Sequence, residues 1–325
     1  MLNNISFIIP IYNDNNHLKK TLDDLYVAIE RSQIRNYEVI IVDDGSKEPI
    51  STIEQLSRAN MRIIRQENQG RLKARHKGIK ESMYDQVVLL DSRVSVKKDS
   101  LRNLLFSHSN SERAPSMIIA KIEFPSDTNL IGLFWDAITR IVWFRYYIDE
   151  ADISLTKENF DFMPKGTTLL FSQKETLIQA YRDLTESELS NKDTNDDTLL
   201  IKRIVSNNEV VLSKGFLATY YPRTNLKSFI RHAHHRGKVA KGGYFASGTK
   251  GRKLLNAVFG VLTILLILSI YSKTLSTLIV ISGLVYSEIF FAKKLPFKHL
   301  VSLNLLALPF LSAYGAGLIR SLFSR

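Results

Sequence analysis

Ile5-Ser6-Phe7-Ile8-Ile9-Pro10-Ile11-Tyr12-Asn13 and Tyr37-Glu38-Val39-Ile40-Ile41-Val42-Asp43-Asp44-Gly45-Ser46 decide how this chain folds. Each is a β-branched run, apolar at consecutive positions, that stops abruptly at polar groups. A strand wetted on one face alternates apolar with polar residues, whereas one covered on both faces stays apolar throughout. Both runs therefore predict strands inside a parallel sheet. Between them, residues 15–32 carry Leu18, Leu22, Leu25 and Ile29 on one helical stripe. Strand, helix, strand is the unit of an α/β fold, whose ligands sit beyond the carboxyl ends of the strands. Pro10, Tyr12 and Asn13 lie at one such end, and Asp43, Asp44, Gly45 and Ser46 at the other. Asp-Asp-Gly-Ser alone also suits a tight turn with a helix cap; its pairing with the first run at this spacing favours a site.

Further along, residues 50–58 predict a short helix and 61–65 another strand. The glycine turn at Gly70 opens a helix bearing Arg75 and Lys77, and helix amino ends and basic side chains both favour phosphate. An ordinary solvated helix reads the same way. Residues 86–90 form the next buried run, ending at Asp91-Ser92-Arg93. Helices are expected at 100–107 and 175–183, and strands at 117–123 and after Gly166-Thr167. Asp196 and Asp197 stand just before an apolar helical run at 199–205, where acids also cap helices for ordinary reasons. A last strand is expected at 210–219. The segment 130–148 holds Phe134, Trp135, Trp143, Phe144, Tyr146 and Tyr147 with Arg140 and Arg145 between them. It fits a core helix or one lying among lipid headgroups, and is too polar to span a bilayer.

These strings, in this order, resemble the inverting family 2 glycosyltransferases over about residues 3–240. The resemblance implies a GT-A fold, an α/β class with a Rossmann-like, mostly parallel sheet flanked by helices, and a nucleotide-sugar donor of UDP or GDP type. It implies that Pro10, Tyr12, Asp43, Asp44 and Arg75 frame the donor base and phosphates, and that Asp91 lies by the ribose and diphosphate. It further implies that Asp197, with Asp196 in the preceding acidic place, is the general base, and that Arg231, His234 and Arg236 close over the diphosphate. The family has Ala-Arg-Asn where this chain has Ala74-Arg75-His76, and Asp-x-Asp where it has Asp91-Ser92-Arg93. The second acid of Asp-x-Asp helps bind a divalent metal. Mg²⁺ or Mn²⁺ is bound through oxygen, which a guanidinium cannot supply. Either Asp91 still holds a metal with another group, or Arg93 neutralises the diphosphate itself. A decayed, non-catalytic nucleotide fold acting as a membrane scaffold is the third reading of Arg93.

The chain has 325 residues, no cysteine and a formal charge of +12. Without cysteine there are no disulfides or thiolate metal sites. No signal peptide is expected, because the first residues already form a buried strand. His232, His234 and His235 invite a metal reading, but no carboxylate lies near them in sequence. From residue 254 the composition changes. The stretches 254–270, 275–292 and 300–319 are each about long enough to cross ~30 Å of hydrocarbon as helix. Glu288, the acid inside them, lies beside Lys293 and Lys294 and can pair or snorkel. Basic residues at 231–253 and 293–299 put those segments in the cytoplasm by the positive-inside rule.

The expected organisation is a GT-A domain over 1–228, a basic juxtamembrane segment over 229–253 and about three transmembrane helices over 254–325. The expected protein is a multi-pass enzyme of the inner membrane, its catalytic domain cytoplasmic and its acceptor a lipid-linked saccharide used for surface polysaccharide. A polyprenyl-phosphate acceptor is the alternative. Nucleic acid is not expected as a partner, because the positive charge gathers beside the apolar stretches.

Overall fold

The computed structural model describes residues 4–50, 58–110, 114–185, 196–240, 272, 274–275, 277–279, 281–282 and 294–323; within these, nothing is described of the side chains of residues 196–197 and 322–323. By its internal contacts the chain forms two compact units, residues 1–125 with 145–222, and residues 126–144 with 223–325.

The first unit opens with β1 (Asn4–Ile11), α1 (Asn15–Ser32) and β2 (Asn36–Asp43), as the two apolar runs predict. β3 (Met61–Arg65), α2 (Arg71–Glu81), β4 (Gln86–Leu90), β5 (Val94–Val96), α3 (Ser100–Asn110) and β6 (Met117–Glu123) follow. The short helix expected at 50–58 falls almost wholly outside the described residues. Within one sheet, β1 lies between β2 and β4, with β3 outside β2, and all four run parallel. Period-2 geometry divides their side chains. Phe7 and Ile9 join Leu18, Leu22, Leu25, Leu101 and Leu104 of α1 and α3 in one core, while α2 covers the opposite face of β1 and β2. That is why these strands read as apolar at every position.

The other half of the sheet is mixed. β8 (Leu169–Gln173) runs antiparallel to β4 and to β6, and β9 (Val210–Tyr220) pairs parallel with β6 and antiparallel with β5 and β7 (Ile153–Leu155). α6 (Lys174–Arg182) packs on α2, and α7 (Asp196–Asn207) packs on α6.

In the second unit, the aromatic segment forms α4 (Leu130–Val142), which breaks at Trp143; the short helix α5 (Phe144–Ile148) that follows belongs, from Arg145 on, to the first unit. Asn129 caps α4 by accepting from the Ile131 and Gly132 amides at 3.1 and 3.2 Å. With α8 (Leu226–Val239) and α9 (Phe297–Phe323) it makes an aromatic centre. Phe134 and Trp135 are buried, with Phe134 5.3 Å from Phe229 and 5.1 Å from Phe310 between ring centroids. Below this centre, Asp136 accepts from Arg140 at 2.9 Å and pairs with the His299 ring at 2.8 Å. Of the three apolar stretches, 254–270 and most of 275–292 lie outside the described residues. The third is α9, whose stretch Phe297–Ser321 is long and apolar enough to cross a membrane by length and composition. Leu305, Leu308, Leu311 and Ile319 are exposed along it.

α8 and α9 touch backbone to backbone. A Cβ on Gly317 would lie 2.0 Å from the His234 carbonyl oxygen, and one on Gly237 would lie 2.0 Å from that of Tyr314. Only hydrogen fits at these two crossings, which is how small residues let helices approach. Gly317→Leu is therefore expected to destabilise the protein by about 1–3 kcal/mol or more, since backbone cannot step aside. A thermal melt measures this, with Gly315→Ala as the control, because nothing lies within 4 Å of a Cβ at Gly315.

Candidate functional site

The register pairs Ile11 with Asp43 and Ile8 with Leu89, so the chain leaves β2, β1 and β4 along one edge of the sheet. The polar residues after each strand meet there. Asn13, at φ +50°, ties the first two ends together. Its amide donates to Ser46 Oγ at 3.0 Å and its Oδ1 accepts from the Lys47 amide at 2.9 Å. Pro10 is buried within β1, whereas Tyr12 is half exposed at the rim.

Asp43 and Asp44 are both buried, and each is saturated nearly to capacity. Asp43 accepts from the Ser46 amide at 2.9 Å, the Ile50 amide at 3.3 Å and Arg65 Nη1 at 3.0 Å. Asp44 accepts from Gln66 Nε2 at 2.8 Å and from the Gln69 and Gly70 amides at 2.9 Å each. A carboxylate offers about four acceptor positions, so about one remains on each for a ligand. Gly45 makes the crossing possible. It sits at φ +78°, and a Cβ there would be 2.8 Å from the Asn68 amide nitrogen. The pair thus builds the wall formed by residues 66–70, from which α2 starts.

Arg75, on α2, is 1% exposed and donates from Nη2 to Asp91 Oδ1 at 2.7 Å. Next to it, His76 stacks on Tyr181 of α6, with centroids 4.5 Å apart and planes 6° from parallel. Burial, and then the charge of Lys80, push its pKa down, so the ring is neutral at neutral pH. This stack accounts for His76 physically: the ring holds α2 against α6.

The turn 91–94 is pinned on every side. The Asp91 amide donates to Thr168 O at 2.9 Å, the Val94 amide to Asp91 O at 3.1 Å, Thr21 Oγ1 to Ser92 O at 2.8 Å, and the Tyr221 amide to Arg93 O at 3.0 Å. The Arg93 side chain is gripped by Asp14, with Nε to Oδ2 at 2.5 Å and Nη2 to Oδ1 at 2.7 Å. Asp14 is a site residue that the sequence alone does not single out. Its signal is the complementary one: a cation standing where the resembled family has an acid calls for a nearby acid.

A divalent ion needs several oxygens directed at it. Among the described residues no cluster of three or more His or acidic side chains has a metal-binding arrangement. At this edge, Asp91 is paired with Arg75 and Asp14 with Arg93. Each of these two carboxylates is engaged by a guanidinium, and no third acid or histidine joins them in a metal-binding group among the described residues.

Lys165 leads into Thr167 and Thr168 before β8. Its Nζ donates to the carbonyls of Phe160 and Met163 and lies 4.4 Å from the Phe160 ring centroid. Burial pushes its pKa down to about 8, against a smaller upward pull from Asp161. Of the other expected site residues, Asp196 and Asp197 open α7, and their side chains lie outside the described part of the structure. Arg231, His234 and Arg236 belong to α8 in the second unit, where Arg236 lies 4.8 Å from the Trp135 ring centroid and donates to His232 Nε2 at 3.3 Å.

A parallel half-sheet with acids and bases gathered at its carboxyl edge has the layout in which α/β proteins hold their ligands. The Glycosyl transferase family 2 model matches residues 6–170, and the chain belongs to that family. It is 28% identical over 120 residues to an uncharacterized glycosyltransferase of Rickettsia felis, a match covering 34% of this chain and 19% of that protein. It is 28% identical over 145 residues to the poly-beta-1,6-N-acetyl-D-glucosamine synthase of Staphylococcus aureus, covering 40% of this chain and 34% of the synthase. The chain thus matches about a fifth to a third of the length of these relatives. Among solved structures, the mannosyltransferase PcManGT of Pyrobaculum calidifontis, in complex with GDP-Man and Mn²⁺, superposes with a TM-score of 0.59 at 13% identity. That alignment covers 98% of this chain and 87% of PcManGT, and it shows a shared fold.

Asp44→Ala removes the acceptor of three donors, and hydrogen bonds to a charged group are worth about 1.5–3 kcal/mol. The expected outcome is a lower melting temperature together with faster hydrogen exchange at the Gln69 and Gly70 amides. For Lys165, a lowered folded pKa means that the folded chain binds fewer protons than the unfolded one between about 8 and 10.5. Its stability contribution therefore rises with pH across that window. The melting temperature of the wild type should gain on that of Lys165→Met as pH climbs from about 8 to about 10.

Proposed function

We propose that this chain is a glycosyltransferase that moves a sugar from a nucleoside-diphosphate donor, of UDP or GDP type, to a hydroxyl of a lipid-linked saccharide, with inversion at the anomeric carbon. The observation that carries this reading is the shared edge of β2, β1 and β4, along which Asp43, Asp44, Tyr12, Arg75 and Asp91 stand. In this reading Tyr12 and the wall held by Asp44 receive the base, and Asp91, oriented by buried Arg75, meets the ribose. Asp197 takes the proton of the acceptor hydroxyl as its oxygen attacks the anomeric carbon from the face opposite the nucleotide. Asp196 precedes it at the start of α7. Arg231, His234 and Arg236 are the side chains that the family resemblance assigns to the diphosphate.

The exposed apolar side chains of α9 support attachment to a bilayer, as do the bases that flank the C-terminal apolar stretches. The catalytic side is then cytoplasmic, at an inner membrane crossed more than once. An acceptor carried by a lipid suits that position, and the likeness to a polysaccharide synthase supports a role in surface polysaccharide synthesis.

Transfer from radiolabelled UDP- and GDP-sugars to lipid extracts by membrane fractions tests the activity. Asp197→Asn should lower kcat by about 10²–10⁴, the usual loss when a general base is removed. A loss of less than about tenfold would point to a phosphate acceptor, which needs no strong base, and would remove the hydroxyl acceptor from this proposal.

A further inference from the structure

The pair Asp14–Arg93 bears on how the donor's charge is met. Resting on the glycosyltransferase reading above, we propose that Arg93, held by Asp14, neutralises the donor diphosphate, and that this protein needs no divalent cation to bind or transfer from its donor.

Arg93 stands three residues past the carboxyl end of β4, on a turn whose carbonyls and amides are tied to α1, to Tyr221 just beyond β9, and to Thr168. Its backbone is therefore fixed before any ligand arrives. A guanidinium carries five N–H donors in a rigid fork. Asp14 engages the Nε hydrogen and one on Nη2. The remaining three point away from that carboxylate and find no partner among the described residues, and the side chain keeps 16% of its surface exposed. The arrangement resembles a metal held from behind by carboxylates with open positions in front. One edge of the cation is anchored, and the other offers paired donors at the spacing of phosphate oxygens.

The neighbouring acids do not compete for a metal. Asp91 is bonded to Arg75, and Asp14 to Arg93. Drawing either acid onto a divalent ion would weaken its pairing with a guanidinium that is buried (Arg75) or largely buried (Arg93), which is costly. During transfer, the bond between the anomeric carbon and the diphosphate oxygen breaks with its electron pair on that oxygen. The acceptor oxygen forms the new bond and its proton passes to Asp197. Negative charge on the diphosphate rises in this step, and a fixed cation beside it stabilises the departing group.

The test uses the full chain in detergent micelles, with UDP and GDP as probes, and calorimetry in EDTA and in Mn²⁺. The wild type is expected to bind one of these nucleotides with affinities that agree within about threefold in the two buffers, well below a tenfold change. Electron paramagnetic resonance should find no Mn²⁺ bound to the complex. Arg93→Gln should weaken binding about tenfold or more. Arg93→Asp should acquire a Mn²⁺ dependence that the wild type lacks. Affinity that falls about tenfold in EDTA and returns with Mn²⁺ overturns this proposal and leaves the glycosyltransferase reading standing. Wild-type affinity in Arg93→Gln also overturns it. No nucleotide binding in either buffer overturns both. The wild-type comparison is decisive even if a variant fails to fold.

Discussion

Two adjacent carboxylates at the end of one buried strand hold up the rest of the site. Asp43 and Asp44 together accept six donors, drawn from the turn that follows them, from the end of β3 and from the loop before α2. Of those segments, only the end of β3 has a strand partner there among the described residues, Arg65 lying in register with Asp43. Buried charge is expensive unless it is fully hydrogen-bonded, and here the bonding is nearly complete. The cost of burial is thereby turned into order: the loop has one shape because the carboxylates accept only one arrangement of amides. Arg75 inherits its place from this, since α2 starts where the loop ends.

The same logic recurs twice with the charges reversed. Arg75 is almost wholly buried and is held by Asp91. Arg93 is held by Asp14. Each of these two bases is oriented by a carboxylate from another segment of the chain. A ligand arriving here meets groups already aimed, which lowers the ordering cost of binding.

Much of the architecture is legible in the residues. The double-faced apolar runs reveal β1, β2 and β4, the leucine stripe reveals α1, and the abrupt polar ends mark the edge where the site lies. What escapes the sequence is non-local. Asp14 and Arg93 are 79 positions apart, so their pairing leaves no periodic trace, although the odd placement of Arg93 hints at it. Asp44 acts largely through the amides of Gln69 and Gly70, and backbone donors carry no residue type to read. The antiparallel insertion of β8 beside β4 depends on distant pairing, as does the grouping of 126–144 with the C-terminal residues. β5 and β7 are three residues each, too short to show alternation. The aromatic helix α4 reads equally as core or interface until Phe134 is found against Phe229 and Phe310.

The glycine contacts between α8 and α9 carry a mechanical meaning. Side chains between helices act as bearings, letting one rod roll or slide against another by changing rotamers. Gly237 and Gly317 remove the bearings, leaving main chain seated on main chain. A tilt imposed on the apolar rod must then be handed undamped to the basic one, as in a keyed shaft.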